Sequence, residues 1–230
     1  MTVRWIVRAV SEICVTAGTL IVLFVVYLLF WTGVRADSAM AGEIGRLQDQ
    51  WSAGSVTAPA GRPATPTTAG PRPYEPGKSF AVMYIPRLGA DWAKPVLQGT
   101  TVGVLQRGLG HYDRTARLGE IGNFAVAGHR RTYGDPFKDF PELRPGDAVV
   151  LTDGTTWFTY RIDNRPYTTL PGDIGVIDPV PQKSGYRGPG RYLTLTTCEP
   201  EWGHSHRLIA WAHLDSTQPV EQGRPSALTG

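Results

Sequence analysis

The sequence predicts a mostly β domain, an antiparallel barrel or sandwich, carried on a single N-terminal membrane-spanning helix. Three observations predict it. Residues 13–31, ICVTAGTLIVLFVVYLLFW, carry no charge and match the roughly 20 residues that cross a hydrocarbon core of about 30 Å. Residues 53–77 hold six prolines and almost no large apolar side chain, so they divide the chain in two. Beyond them come several short β-branched and aromatic runs bounded by glycine, proline and aspartate, the pattern of an all-β domain.

The span is apolar on all faces at a chain terminus, which argues against a buried core helix. Arg4 and Arg8 precede it, while Arg35 follows and is balanced by Asp37, so the positive-inside rule puts residues 1–12 in the cytoplasm and the remainder outside. The small-residue stretch AMA at 39–41 is compatible with a cleaved signal peptide. The apolar run exceeds the roughly 7–15 residues of a signal-peptide core, which favours an uncleaved anchor. Residues 32–77 then read as a juxtamembrane segment and proline-rich linker. Within it AGEIGRLQDQW makes a short helix with Ile44, Leu47 and Trp51 along one side, and the linker lifts the domain off the bilayer.

The globular domain is expected over 78–215, followed by a polar tail over 216–230. SFAVMYIPRLG alternates and stops at proline and glycine. GNFAVAGH is a short apolar run, and GDAVVLTDGTTWFTYRI is two strands joined by Asp153-Gly154, a strong hairpin signal. RYLTLTTC and RLIAWAHL add two more strands. The formal charge of +3 is small and scattered, there is no phosphate-binding glycine loop, and nucleic acid is excluded as a partner on those grounds.

The chain has two cysteines: Cys14 in the span and Cys198 in the external domain, too far apart in kind to pair. A single external thiol is a candidate nucleophile, and with no second external cysteine and no helical His spacing a metal site is not implied. Alternation along RYLTLTTC puts Tyr192, Thr194, Thr196 and Cys198 on one face and Leu193, Leu195 and Thr197 on the other, with the thiol at the strand end. In the returning strand Arg207, Ile209 and Trp211 share a face. If the two strands are neighbours, Arg207 comes near Cys198, where a permanently charged guanidinium stabilises an oxyanion or orients a carbonyl. A thiol near its ordinary pKa of about 8.5 also needs an imidazole. His111, His129, His204 and His206 are each eligible, with His129 at the end of a small-residue strand; His213 continues a strand and reads as structural. The carboxylates of Glu199 and Glu201 would raise the thiol pKa and a protonated His206 would lower it, so the sign stays open.

TLTTC followed by a loop and RLIAWA, with AGHRRTYGDPF upstream, resembles the sortases, membrane-anchored cysteine transpeptidases, and is most similar to their class E. The resemblance covers roughly residues 78–214 and implies a closed antiparallel β-barrel of about eight strands with short helices. It gives Cys198, His129 and Arg207 the nucleophile, acid–base and oxyanion roles, with no cofactor. The partners it implies are secreted proteins ending in an LAXTG- or LPXTG-type sorting signal and an amine from a peptidoglycan precursor or a pilin. Tyr133 sits where the family's signal-selecting tyrosine lies, or packs its loop onto the barrel. Thr196, Thr197 and Trp202 complete the expected substrate-binding set, Trp202 either walling the groove or pinning its loop. The tail carries no second membrane span, which by family analogy favours protein anchoring over pilus polymerisation. A hydrolytic cysteine protease and a silent membrane-tethered binding barrel are the other readings.

Overall fold

The computed structural model describes residues 2–56 and 73–229. The larger part of the proline-rich linker, 57–72, lies outside the described residues. The expected span and the expected short juxtamembrane helix are one continuous helix, α1, Thr2–Val56. Its stretch Val3–Tyr27 is long and apolar enough to cross a membrane. Past the span the helix keeps going because no proline or helix-ending glycine motif interrupts it before Val56, and its next face is buried on protein. Ala36, Met40, Glu43 and Leu47 recur three or four residues apart and are all buried. Leu47 was anticipated as inward; its expected companions Ile44 and Trp51 are half-buried.

The β strands are β1 (Ser79–Tyr84), β2 (Ala93–Gln98), β3 (Leu109–His111), β4 (Gly122–Ala127), β5 (Ala148–Thr152), β6 (Thr156–Ile162), β7 (Tyr167–Thr169), β8 (Arg191–Glu199) and β9 (His206–Pro219). They lie in the order β6-β5-β1-β2-β3-β4-β8-β9, and a β6–β9 pairing closes the barrel, with β7 added along β9. Eight strands thus form the closed sheet, as expected, but it is mixed rather than antiparallel. β2 and β3 run parallel through a crossover containing the short α2 (Val102–Leu105), and β4 and β8 run parallel from Gly122↔Arg191 to Ala127↔Thr196. The tail boundary expected at 215 also moves: Ser216–Pro219 pair with Thr156–Thr159, so β9 carries on to Pro219.

The Asp153-Gly154 turn joins β5 and β6 as its sequence dictates, the Asp153 carboxylate accepting from the backbone N–H of Thr155 and Thr156 at 2.9 Å. Inward positions of alternating strands build the core, among them Met83, Val96, Phe124, Leu151, Leu193 and Leu195, closed at one end by Phe137 and Phe140. On the outer face of β8 and β9, Ile209 and Trp211 pack with Val176 in a smaller cluster.

Candidate active site

The strand β8 runs one residue past the thiol, to Glu199, and stops at Pro200; β9 begins on the other side of the loop at His206. In the antiparallel β8–β9 register Cys198 faces Arg207 directly, one step beyond Thr197↔Leu208. Cross-strand partners project to the same side, so the Arg207 and Cys198 side chains leave the sheet on the same face. Arg207 Nη1 donates to the carbonyls of His204 at 3.0 Å and His206 at 2.9 Å, which fixes the head of this long side chain on its own loop.

His129 reaches the same level through the parallel partner. Ala127 is in register with Thr196, so a residue two further along stands level with Cys198. Two bonds carry the register past the strand end: Gly128 N–H donates to the Thr196 carbonyl at 3.1 Å, and the Thr197 hydroxyl donates to the Gly128 carbonyl at 2.8 Å. Gly128 is required here by close approach. A Cβ would stand 2.6 Å from Phe137 Cδ2 and 2.7 Å from Leu109 Cδ2. His129 Nε2 is buried and carries no hydrogen bond, and burial pushes the imidazole pKa below its ordinary 6.5. The Tyr133 ring lies tilted over the imidazole, centroids 5.2 Å apart. The loop below them holds a run of positive φ angles, Thr132 at 80°, Tyr133 at 52°, Gly134 at 77° and Asp135 at 45°, a conformation costly for non-glycine residues unless packing enforces it.

Two arginines that sequence reasoning passed over organise the rest. The buried Arg130 guanidinium pairs with Glu199 and donates to the Cys198 carbonyl at 3.4 Å, tying the histidine loop to the end of β8. Arg131 pairs with Glu201 and, at 3.3 Å, with Asp135, and its head lies 4.8 Å from the centroid of the Trp202 ring. Both carboxylates near the thiol are therefore matched by cations. The signal was present in the sequence as HRR after the strand and two glutamates after the cysteine, but the pairing exists only in three dimensions.

Arg207 lines one hollow and Cys198 another. One is lined by Tyr112, Thr196, Arg207, Ile209, Val176 and the exposed Leu170 and Ile174. Tyr112, also unforeseen, shares a 3.1 Å hydroxyl contact with Thr196. The other is lined by His129, Arg131, Cys198, Glu201, Trp202 and His204. Of the expected substrate-binding residues, Thr196 lines the first hollow and Trp202, largely exposed, the second. Thr197 lines neither: it is buried on the opposite face, bonded to Gly128. The remaining histidines sort themselves. His206 is exposed and bonded to Ser205, while His204 borders the second hollow. His213, midway along β9 and opposite Tyr192, pairs with Asp163, and His111 is buried against Gln98, its pKa pushed down to about 4 by desolvation.

Residues 83–215 match the Sortase domain family. The chain is 40% identical over 228 residues to Sortase SrtE1 of Streptomyces coelicolor, an alignment covering 96% of this chain and 60% of that protein. Sortase SrtE2 of the same organism is 30% identical over 228 residues, with 95% and 85% covered. Among solved structures, sortase E from Streptomyces avermitilis aligns with a TM-score of 0.64 at 75% identity, over 67% of this chain and 99% of that one. Sortase E1 from Streptomyces coelicolor with a tripeptide in its active site gives a TM-score of 0.64 at 39% identity, over 67% and 99%.

Proposed function

The chain belongs to the sortase family of cysteine transpeptidases, in its class E branch, and from that premise we propose that it cleaves an LAXTG/LPXTG-type sorting signal between Thr and Gly and joins the Thr to a cell-wall amine. The observation that carries the reading is the convergence of three strand ends: Cys198 opposite Arg207 across β8–β9, with His129 brought level by the parallel β4–β8 pair.

Chemistry follows from that geometry. Burial keeps the His129 imidazole neutral at pH 7, so it takes the thiol proton as the sulfur attacks the threonine carbonyl carbon. Negative charge develops on the carbonyl oxygen, and the Arg207 guanidinium offsets it. Collapse of the tetrahedral intermediate breaks the Thr–Gly bond, and the imidazolium returns its proton to the departing glycine amine. A thioester remains on Cys198. An incoming amine then attacks the same carbonyl, His129 takes the amine proton, and the thiol leaves as the new amide forms. The apolar hollow bounded by Tyr112, Thr196, Ile209 and Leu170 suits the extended peptide. In this reading α1 is a single-pass anchor with residues 1–12 in the cytoplasm, the barrel works outside, and the role is protein anchoring rather than pilus polymerisation.

The test is mass spectrometry of the full chain in detergent with LAXTG and LPXTG peptides, with and without triglycine. Ligation that requires both Cys198 and the amine is expected, faster with LAXTG. Arg207→Ala should lower the rate about 10²–10³-fold and His129→Ala about 10²–10⁴-fold. Cleavage indifferent to the amine would overturn transpeptidation in favour of a protease.

A further inference from the structure

The docked half of α1 says which way the barrel faces. A Cβ at Gly134, in the loop that carries His129 and Tyr133, would stand 2.7 Å from Asp37 Oδ1, 3.3 Å from Met40 Cε and 3.5 Å from Ala36 Cβ. Asp37 also pairs with Lys94 at the start of β2, at 3.5 Å. One to two turns on, the buried Glu43 carboxylate holds Arg107 at 2.8 Å and the Ser79 hydroxyl at 2.9 Å, at the start of β1. Further still, the Trp51 ring covers Gly154, where a Cβ would lie 2.3 Å from it, in the β5–β6 turn.

These contacts run in order along the barrel. β8 runs parallel to β4, β3 antiparallel to β4, β2 parallel to β3 and β1 antiparallel to β2, so the thiol end of the barrel is the Lys94 end of β2 and the Tyr84 end of β1. The turn at Gly154 is at the opposite end. α1 therefore passes from its apolar span first to the catalytic end and last to the far end. From Trp31, the last residue of the apolar run, to Ala36 the helix rises about 8 Å; from Ala36 to Trp51 it rises about 22 Å. Three of the exposed large apolar side chains of the barrel, Leu170, Ile174 and Trp202, sit on the catalytic end, the last with Arg131 against its ring. Tryptophan is enriched at membrane–water interfaces, where its amphipathic ring sits at headgroup level.

We propose that α1 is a rigid arm that seats the barrel on the lipid headgroups with its catalytic end facing the bilayer, Trp202, Leu170 and Ile174 meeting that surface. The proposal rests on the single-pass reading above. It reverses the expectation of a domain lifted away by its linker: the route from span to barrel is the helix, and the linker residues come only after docking is complete. The mouth of the peptide hollow, rimmed by Leu170 and Ile174, then opens toward the headgroups, and peptides reach the thiol from the membrane side.

The experiment places a fluorophore at Ile174→Cys or at Thr155→Cys in the full chain carrying Cys14→Ser and Cys198→Ala, reconstituted in phosphatidylcholine/phosphatidylglycerol nanodiscs. The quencher is a nitroxide on the lipid headgroup. Quenching several-fold stronger at 174 than at 155 is expected. A seven-residue helical insertion after Gly33, which adds about 10 Å, should weaken quenching at 174. Equal quenching at the two positions, stronger quenching at 155, or indifference to the insertion would overturn the proposal. Co-elution of the chain with nanodiscs tests the membrane reading separately, and ligation by the Cys198-bearing chain tests the enzymatic one.

Discussion

Gly128→Ala perturbs the site without touching a reacting atom. The new methyl would stand 2.6 Å from Phe137 Cδ2 and 2.7 Å from Leu109 Cδ2, whereas carbon atoms settle at about 3.5–4.0 Å, so roughly 1 Å has to be found. Neither neighbour can supply it easily. Both are fully buried, and Phe137 is held edge-on by Phe140 with centroids 5.3 Å apart and stacked on Trp92 at 6.1 Å. If the core yields, overpacking costs about 1–3 kcal/mol of stability, more than the 0.4–1 kcal/mol that alanine gains through the unfolded chain. If the backbone yields, His129 moves with it, and a 1 Å misplacement lowers the rate by up to about 10²-fold. The expected outcome is a loss of both. Urea unfolding reports the first, and the rate of thioester formation, followed by mass spectrometry in the folded fraction, reports the second. Adding Phe137→Leu opens the space and should restore most of the activity. Gly188→Ala, whose Cβ would meet nothing within 4 Å, is the control. Parent-like activity in Gly128→Ala, or a defect that Phe137→Leu leaves unchanged, would refute the argument that this glycine places the imidazole.

Two further outcomes follow from single side chains. His111 is 2% exposed and its pKa falls from 6.5 to about 4, so between these values the unfolded chain binds a proton that the folded one refuses. Stability is then fully present above pH 6.5 and declines as pH falls toward 4, by about 3 kcal/mol from this residue. Urea midpoints at pH 7 and pH 4.5 should converge in His111→Phe, and an unchanged difference would show that another group controls acid lability. Tyr112→Phe removes the hydroxyl that meets Thr196 at 3.1 Å, while Thr196 keeps the Val126 carbonyl at 3.4 Å. A loss near 1 kcal/mol, about five-fold, is expected in KM for the peptide with kcat held, and a fall in kcat alone would place Tyr112 in the chemistry rather than in binding.

What the sequence revealed tracks how local each cause is. The β5–β6 hairpin was legible because Asp153-Gly154 writes its own turn, and β8 and β9 because long β-branched and aromatic runs have one period. β2 was hidden by Pro95 inside AKPVLQ, and β3 and β7, three residues each, are too short to show a period at all. The parallel β2–β3 and β4–β8 pairs depend on crossovers that pattern does not encode. The docked face of α1 was legible only at Leu47, because its other buried members are an alanine, a methionine and a glutamate. Glu43 counts as polar in any hydropathy reading, yet it is buried because Arg107, Arg46 and Ser79 meet it there.

The charges around the thiol show the same division and lead to a consequence for mechanism. From sequence, Glu199 and Glu201 beside Cys198 oppose thiolate formation, and His206 favours it if protonated. In the folded chain each glutamate is matched, Glu199 by Arg130 and Glu201 by Arg131, and His206 is exposed. Among the described residues Arg207 has no carboxylate within ion-pair distance; its head is bonded to the neutral carbonyls of His204 and His206. Carbonyl partners orient a guanidinium while leaving its full charge uncompensated, whereas a carboxylate would cancel most of it. In the proposed mechanism the cation opposite Cys198 is thus oriented before substrate arrives and is free to interact with negative charge as it forms. Orientation supplied by neutral acceptors is the arrangement that makes a fixed charge stronger toward a transition state than toward an uncharged ground-state carbonyl.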